Sequence, residues 1–422
     1  MFASILRRSS VATILLALGT TALSADESVT EGPRANPALQ RFIQDLATLN
    51  PDVLAAGAAL DASGALRDAA ARPLYNPELS AEAERSSDDA RTVGISQTLD
   101  WAGKRQARSQ AAEHERLLAE SRYQLALWSF STDLLTRLAA HQTARERDQL
   151  AAAAERAMTE FAALAERRFA AGDLNQVDLS LARLAATDAH IQRATRTGDL
   201  AAATQAVRAL AVDAPPASWP QLRTPPALTQ TGETAQTLVR GLPEVRVAQR
   251  QIELADARVT VQRKAQRPDP TLTLRAGEQA DESLVGLSLS IPLFVRNRYD
   301  NEVRAALAVR NEAQFSADAV LRRAYARLES ARERYQLLRG AWDVWERSGQ
   351  PSLTLQTEQL RQLWEAGEMS AADYLVQLRQ TIEVQDNAFA LRLALWEGWL
   401  EWLRASGRID DWLSLDTMAT RR

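Results

Sequence analysis

A stretch of alternating apolar and polar residues occurs twice in this chain, and it limits the possible folds more than any other feature. The first copy, at 76–105, reads NPELSAEAERSSDDARTVGISQTLDWAGKR, and the second, at 269–298, reads DPTLTLRAGEQADESLVGLSLSIPLFVRNR. The prolines and the final arginines of the two copies are both 193 residues apart (270 − 77 and 298 − 105). Alternation sends successive side chains to opposite faces of a strand, and each copy holds two such runs around a polar turn. Each copy therefore predicts a β-hairpin, with turns at 86–90 and 279–283.

The alternation also predicts which side chains share a face of the hairpins. One face is apolar and carries Leu79, Val93, Ile95, Leu272, Leu274, Val285, Leu287, Leu289 and Ile291. The other face is polar and includes Glu82, Glu84, Thr273 and Arg275. An isolated two-stranded hairpin is only marginally stable in water. Both hairpins therefore need partners.

Composition excludes several classes of protein. The chain has 422 residues, of which 25% are charged, and a formal net charge of −4. Its basic residues are scattered singly, so a nucleic-acid-binding surface is not expected. There is no cysteine, which excludes disulfides, thiolate metal sites and lipidation of a cysteine.

The N-terminus has the pattern of a targeting segment. Arg7 and Arg8 precede an apolar run at 11–18 and then small residues, as in a secretory signal peptide. We expect cleavage after Ser24, which makes 1–24 the signal peptide. The apolar run is far shorter than the roughly 20 residues that a membrane-spanning helix needs, so we expect export without such a helix.

Most of the remaining chain has a helical pattern, and this pattern repeats as well. Pro51 and Pro243 are 192 residues apart (243 − 51), and each is expected to begin or kink a helix that leads into a hairpin. Between 103 and 171 there is no proline and little glycine. This predicts about 69 residues of helix, roughly 100 Å long. A second long helix is expected at about 297–366, with a weak point at 348–351.

Related sequences end both long helices. Gly172 and Gly367 are 195 residues apart (367 − 172) and fit the residue that follows a helix. Asn175 and Ser370 fit the N-caps of the returning helices. The predicted segments are, in order, an N-terminal segment with the first helix at 25–75, the first hairpin at 76–100, the long helices of repeat 1 at 101–212, a Pro-rich linker at 213–231, the first helix of repeat 2 at 232–268, the second hairpin at 269–294, the long helices of repeat 2 at 295–406 and a tail at 407–422.

With these pieces in view, the chain resembles the outer-membrane efflux proteins of Gram-negative bacteria, the TolC-like channels. The resemblance covers about 38–403 and rests on the helix–hairpin–helix tandem and on the paired Gly172 and Gly367 turns. The sequence of the first hairpin, NPELSAEAE followed by GISQTLDWAGKR, is similar to sequences of the branch that serves heavy-metal efflux pumps of the RND type.

The resemblance implies a mainly α fold with a β-barrel portion. Long antiparallel coiled-coil helices would form a periplasmic α-barrel, and the two hairpins of each protomer would join a β-barrel in the outer membrane of a homotrimer. It also implies a passive channel without a cofactor, which extends from the outer membrane into the periplasm. Its partners would be a periplasmic adaptor, an inner-membrane RND transporter and outer-membrane lipid.

The resemblance also implies where the functional residues lie. The periplasmic tip and gate candidates are Gly172, Asp173, Asp178, Gly367, Glu368 and Asp373. Asp178 and Asp373 either belong to a charge ring that attracts cations or are solvated residues at helix starts, where the helix dipole favours them. For Asp173 and Glu368 the second interpretation is favoured. The barrel lumen candidates are Glu82, Glu84, Thr273 and Arg275, and the apolar face would meet lipid.

No catalytic, cofactor-binding or metal-binding pattern is found in the sequence. His114, His141 and His190 are far apart and lack metal-ligand spacing, and common catalytic motifs are missing. We therefore predict no enzyme. The resemblance to the heavy-metal branch instead implies a conduit that exports heavy-metal cations. Two alternatives stay open: a multidrug efflux channel, and a soluble periplasmic coiled-coil scaffold or adaptor. The scaffold is disfavoured because it would expose the apolar hairpin face to water.

Overall fold

The computed structural model describes residues 34–85, 89–212, 214–228, 233–279 and 282–414. The expected signal peptide lies outside the described residues, as do the centres of both hairpin turns and the last eight residues of the chain. Within the described residues the protein is mainly helical and carries one small antiparallel sheet. The predicted fold class, long helices with two β-hairpins, is confirmed.

The first repeat contains one very long helix and several shorter elements. Its elements are α1 (Pro37–Ala47), α2 (Pro51–Ala70), β1 (Glu78–Glu84), β2 (Ala90–Thr98), α3 (Lys104–Ala170) and α4 (Gln176–Arg208). The side chains of Asn36 and Asn50 cap α1 and α2, each of which has proline in its first turn. Proline suits this position because its missing N–H would have no partner there. With 67 residues, α3 is about 100 Å long.

The second repeat has the same order of elements. They are α5 (Ala235–Gly241), α6 (Pro243–Ala265), β3 (Thr271–Gln279), β4 (Glu282–Ser290), α7 (Asp300–Val344), α8 (Gln350–Ala366) and α9 (Ala371–Ser406), followed by a short α10 (Ile409–Leu413). The helix expected from about residue 297 begins at Asp300. The reason is that Tyr299 has a left-handed backbone, and its N–H is bound by the side chain of Asn297.

A π-helical turn, Trp345–Gly349, joins α7 to α8 where the sequence predicts a weak point. Pro351 has no N–H, so it cannot continue the α-helical hydrogen-bond pattern at this point. The N–H of Gln350 instead bonds the carbonyl of Trp345, five residues earlier. The second long helix therefore continues through a change of register.

The four strands form one sheet in the order β1-β2-β3-β4. The pairing of β2 with β3 joins the two repeats. Both turns are shorter than predicted, because Ala90 belongs to β2, Gln279 to β3, and Glu282 and Ser283 to β4. The second hairpin was predicted to extend to residue 294 because the alternation of apolar and polar residues continues, but β4 ends at Ser290.

The long helix α3 is the central element of the packing. It contacts α2 and α6 near the sheet, and α4 and α9 towards the opposite end, while α7 contacts α6 and α9. A large hydrophobic core lies near the middle of α3, and a second core lies where α3 and α4 meet α8 and α9. We call this second region the tip.

The middle core is rich in tryptophan and includes the Pro-rich segment between the repeats. Trp396, Trp399 and Trp412 are buried. The ring centroid of Trp412 lies 6.2 Å from that of Trp396 and 6.2 Å from that of Trp399. The carbonyl of Pro226 accepts a 2.5 Å hydrogen bond from the Tyr335 hydroxyl. The segment expected to be a linker is therefore packed against the helices.

Candidate functional site

Both helical hairpins turn at a glycine in the left-handed conformation. Gly172 has φ 85° and Gly367 has φ 77°. Each glycine N–H donates to the carbonyl three residues earlier, at 3.0 and 3.1 Å, and the next N–H donates to the carbonyl five residues before it. These bonds close the helix end, and a residue with a side chain would be strained in this conformation.

Two of the four acidic residues at the tip, Asp178 and Asp373, are hydrogen-bonded to the N-cap side chains of α4 and α9. The N–H of Asp178 donates to Asn175 Oδ1 at 2.9 Å, and Asn175 Nδ2 donates to Asp178 Oδ2 at 2.8 Å. In the second repeat, Ser370 Oγ donates to Asp373 Oδ2 at 2.6 Å and accepts from the Asp373 N–H at 3.1 Å. The helix dipole favours negative charge at these positions. Asp173 and Glu368 lie exposed on the turns themselves.

A contact between the two turns was not predicted from the sequence. Arg168, near the end of α3, donates from Nη2 to the carbonyl of Trp364 at 3.3 Å. Its guanidinium carbon also lies 4.6 Å from the centroid of the Trp364 ring, within range of a cation–π interaction. The equivalent residue of repeat 2 is Leu363 (168 + 195), so the internal repeat gives no signal for this contact. Arg168 joins the two turns within one chain.

Aromatic side chains fill the core beneath the turns. Trp364 lies 5.0 Å from both Phe161 and Tyr374, and Phe161 lies 5.5 Å from Tyr374, measured between ring centroids. All three are buried. Burial raises the pKa of the Tyr374 hydroxyl, with a further contribution from Glu160. The aromatic trio holds the ends of α3, α8 and α9 together.

Ion pairs connect the two helical hairpins above the tip. Asp386 on α9 lies 2.9 Å from Arg147 Nε on α3 and 3.6 Å from Arg196 Nη2 on α4. Arg392 on α9 pairs with Glu146 on α3, and burial lowers the pKa of Arg392. These contacts join residues about 190 to 250 positions apart, which is why sequence periodicity did not reveal them.

A groove of about 280 Å³ lies between the α3–α4 hairpin and α9. Its floor consists mainly of small or apolar side chains, including Ala151, Ala154, Met158, Ala185, Ala189 and Ile382. Its rim carries both signs of charge, from Arg379 and Asp188, whose Nη2 and Oδ2 are 3.5 Å apart. Small side chains allow another helix to approach closely, so the groove is a candidate partner-binding surface.

At the other end of the molecule, the sheet separates polar from apolar side chains. Leu79, Ile95, Leu274 and Leu287 lie in one cross-strand row on the apolar face. Their exposed fractions are 79%, 51%, 50% and 70%, so this face is uncovered in the single chain. The placement of a large apolar face in the open indicates an interaction surface.

The polar face carries an excess of negative charge. Because paired residues share a face, Glu82, Glu84, Thr273 and Arg275 lie together on this side of the sheet. Glu78 and Glu282 lie there too, so the described strand residues place four carboxylates and one guanidinium on this face, a balance of −3 (1 − 4). Gly94 makes room for Arg275, since a Cβ at this position would lie 2.9 Å from Arg275 Cγ.

The histidines do not meet. His114 lies 3.6 Å from Glu253, His190 lies 2.7 Å from Glu155, and His141 packs edge-on against Trp219. Burial lowers the pKa of His141. The described residues contain no group of three His, Asp or Glu side chains placed to hold a metal ion. None of the described helices is long and apolar enough to cross a membrane.

Comparison with known proteins agrees with this geometry. A family model described as "Outer membrane efflux protein" matches residues 42–211. This part of the chain is therefore similar to the outer membrane efflux protein family. The fold is similar to that of the CmeC outer membrane channel of Campylobacter jejuni, with a TM-score of 0.75, 16% identity, and coverage of 99% of this chain and 98% of that one.

Two known proteins are similar to this chain in sequence. The cobalt-zinc-cadmium resistance protein CzcC of Cupriavidus metallidurans is 29% identical over 236 residues, which cover 54% of this chain and 56% of CzcC. The nickel-cobalt-cadmium resistance protein NccC of Alcaligenes xylosoxydans xylosoxydans is 29% identical over 340 residues, which cover 75% of this chain and 72% of NccC. The chain thus spans about half the length of the first relative that it matches.

Proposed function

We propose that this protein is the outer-membrane channel of a tripartite efflux system. It is a passive conduit that extends from the outer membrane into the periplasm, and it catalyses no reaction. The observation that carries this proposal is the sheet, which has an exposed apolar face, an acidic polar face and two open edges, above helices about 100 Å long.

The open edges of the sheet argue for assembly with further copies. In the described sheet, β1 and β4 each pair on one side only. An open, apolar strand edge promotes association, and a closed barrel removes the edge. Three copies with four strands each would close a barrel of twelve strands (3 × 4). Its apolar face would meet lipid, and Glu82, Glu84, Thr273 and Arg275 would line the water-filled lumen.

The other end of the molecule would serve as gate and partner-binding end. A periplasmic adaptor would bind near the tip, and an inner-membrane RND transporter would supply the energy. The groove beside α9, with its small floor and charged rim, supports the adaptor contact. In a trimer, Asp173, Asp178, Glu368 and Asp373 would each be repeated around the axis, and Asp178 and Asp373 would form charge rings near the gate at the Gly172 and Gly367 turns.

The proposed cargo is heavy-metal cations. The names of CzcC and NccC associate those two relatives with cobalt, zinc, nickel and cadmium resistance. The excess of carboxylates on the polar face of the sheet supports cation passage, because like charges would repel anions at the lumen wall. The ions would pass through the channel without a dedicated binding site.

Fractionation followed by unheated gel electrophoresis tests location and assembly. We expect the full chain in the outer-membrane fraction and a trimer-sized band that collapses to a monomer on boiling. A soluble periplasmic monomer would contradict the channel and favour a coiled-coil scaffold.

Growth of a deletion strain tests the cargo. The strain should become more sensitive to cobalt, zinc or cadmium salts, and the wild-type gene should restore resistance. Sensitivity to organic drugs with unchanged metal tolerance would instead assign the channel to multidrug efflux.

A further inference from the structure

A buried carboxylate lies where the sheet meets the helices. Asp269, just before β3, has a side chain that is only 4% exposed. Its Oδ2 accepts a hydrogen bond from the Tyr75 hydroxyl at 2.7 Å and lies 2.9 Å from Lys104 Nζ. Its Oδ1 is buried and has no hydrogen-bond partner among the described residues.

The three side chains come from three different crossings between helices and sheet. Tyr75 precedes β1, Lys104 is the first residue of α3 after β2, and Asp269 follows α6. The second and third crossings are further joined by two hydrogen bonds. Trp101 Nε1 donates to the carbonyl of Pro268 at 2.6 Å, and the Leu99 N–H donates to the carbonyl of Pro270 at 2.9 Å.

The orientation of Lys104 is fixed by contacts at both its backbone and its side chain. Its backbone N–H donates to Asp100 Oδ1 at 2.7 Å, across the left-handed Gly103, while its ammonium group pairs with Asp269. Burial and the hydrogen bond to Asp269 raise the pKa of Tyr75 to about 12, so this hydroxyl remains a donor.

The internal repeat indicates that a hairpin can start without this charge. At the equivalent positions, 193 residues away, Asn76 replaces Asp269 (269 − 193), Asn297 replaces Lys104 (104 + 193) and Pro268 replaces Tyr75 (75 + 193). Asn76-Pro77 precedes the first hairpin with a neutral side chain. The carboxylate is therefore not needed for the Asx-Pro start of a hairpin.

A buried ion pair is also a weak source of net stability. Removing two charges from water costs about as much as their attraction returns, and an unsatisfied carboxylate oxygen adds to that cost. A more direct effect of such a pair is that it favours the one arrangement in which the two charges meet and disfavours arrangements that separate them.

We propose that Asp269, Lys104 and Tyr75 form a joint that fixes the direction in which the sheet leaves the helices. Asp269 is the positioning residue of this junction triad, because its carboxylate links the other two crossings. The joint lies within one chain, so its test does not depend on transport.

Distances between a spin label on the sheet and one on a helix, measured by pulsed electron–electron double resonance, test the joint. The natural chain has no cysteine, so spin labels can be placed at Glu84→Cys and Gln110→Cys of the full chain, diluted with unlabelled chains. We expect one narrow distance peak. With Asp269→Asn, the single peak should be lost in favour of a broad distribution. The matched control is Glu166→Gln, which removes an acid from the exposed Glu166–Arg183 pair at the far end and should leave the peak unchanged.

A double variant separates positioning from charge compensation. Asp269→Asn alone leaves Lys104 without its partner and should lower the melting temperature. Asp269→Asn with Lys104→Met leaves no unpaired buried charge, so this double variant should recover the melting temperature, but its distance distribution should stay broad. If the double variant also recovers the narrow peak, or if Asp269→Asn never loses it, the proposal is wrong. Should Asp269→Asn fail to fold, Tyr75→Phe removes only one hydrogen bond, and an unchanged peak in that variant would overturn the proposal as well.

Discussion

Gly172 and Gly367 are the residues at the tip whose identity is determined most directly by the backbone. No atom lies within 4 Å of a Cβ built at Gly172, so its left-handed φ, and not crowding, requires glycine. We predict that Gly172→Ala lowers the free energy of unfolding by about 1–2 kcal/mol. Gly198→Ala, in the helical interior of α4 with open space around it, should raise it by about 0.5–1 kcal/mol. Thermal unfolding of both purified variants checks the prediction, and equal effects would contradict it.

Asp148 on α3 should make stability depend on pH in acid. Its side chain is 13% exposed and pairs with Arg193 of α4, and Thr197 Oγ1 donates to it at 3.0 Å. The hydrogen bond from Arg193 holds the pKa of Asp148 below its ordinary value of 3.8. The folded protein thus binds this proton less readily than the unfolded chain. The contribution of the pair is present above pH 3.8 and is lost as the pH falls through the folded pKa.

The matching variant is Asp148→Asn. It should lower the free energy of unfolding at neutral pH by about 1–3 kcal/mol and reduce the further loss on acidification below pH 3.8. Denaturant unfolding at several pH values measures both effects. Asp199→Asn, in the exposed pair with Arg196, should show neither, and an unchanged acid profile for Asp148→Asn would exclude the proposed linkage.

Among the elements, the second long helix differs from the first by its π turn. A Cβ at Gly349 would lie 2.4 Å from Trp345 Cε3, so the ring would have to move. We expect Gly349→Ala to destabilise the protein by about 1–3 kcal/mol through overpacking. Gly340→Ala, nine residues earlier in α7 and with open space around it, should stabilise it. Circular dichroism melting curves of the two variants provide the comparison, and stabilisation by both would show that the ring is not held there.

The sequence was a good guide to the elements because their signals are local. The absence of proline between 103 and 171 predicted α3, and Asn175 and Ser370 are the predicted N-caps. The turns at 86–90 and 279–283 were predicted too long, since polar residues such as Gln279 and Glu282 occupy the polar side of a strand as readily as a turn. Pro351 predicted the weak point at 348–351, but periodicity does not encode whether the helix ends there or continues through a π turn, as it does.

The candidate site was only partly accessible from the sequence. Alternation assigned Glu82, Glu84, Thr273 and Arg275 to one face because strand geometry alone decides it. The contact of Arg168 with Trp364 and the convergence of two arginines on Asp386 join residues about 190 to 240 positions apart. Contacts of this kind arise from the packing of the two repeats, and neither the period nor the repeat comparison could have found them.

For the whole molecule, the charge of the polar face should determine ion selectivity. Glu82→Gln with Glu84→Gln should shift the reversal potential of the assembled channel in a salt gradient towards zero, because these changes remove two of the four carboxylates that the described strands place on the proposed lumen face. Arg275→Gln should shift it in the opposite direction. Glu278→Gln lies on the opposite face of β3 and is the matched control. A shift caused by Glu278→Gln, and not by the lumen variants, would reverse the assignment of the two faces.

Single-channel recording in planar lipid bilayers tests the central claim most directly. The purified full-length protein, taken from the trimer-sized band, should insert and give discrete, uniform conductance steps, because the barrel proposed for three copies would enclose a water-filled lumen that continues through the helices. If protein from that band binds to the bilayer yet gives no steps over a range of voltages and pH values, this chain does not form the proposed channel.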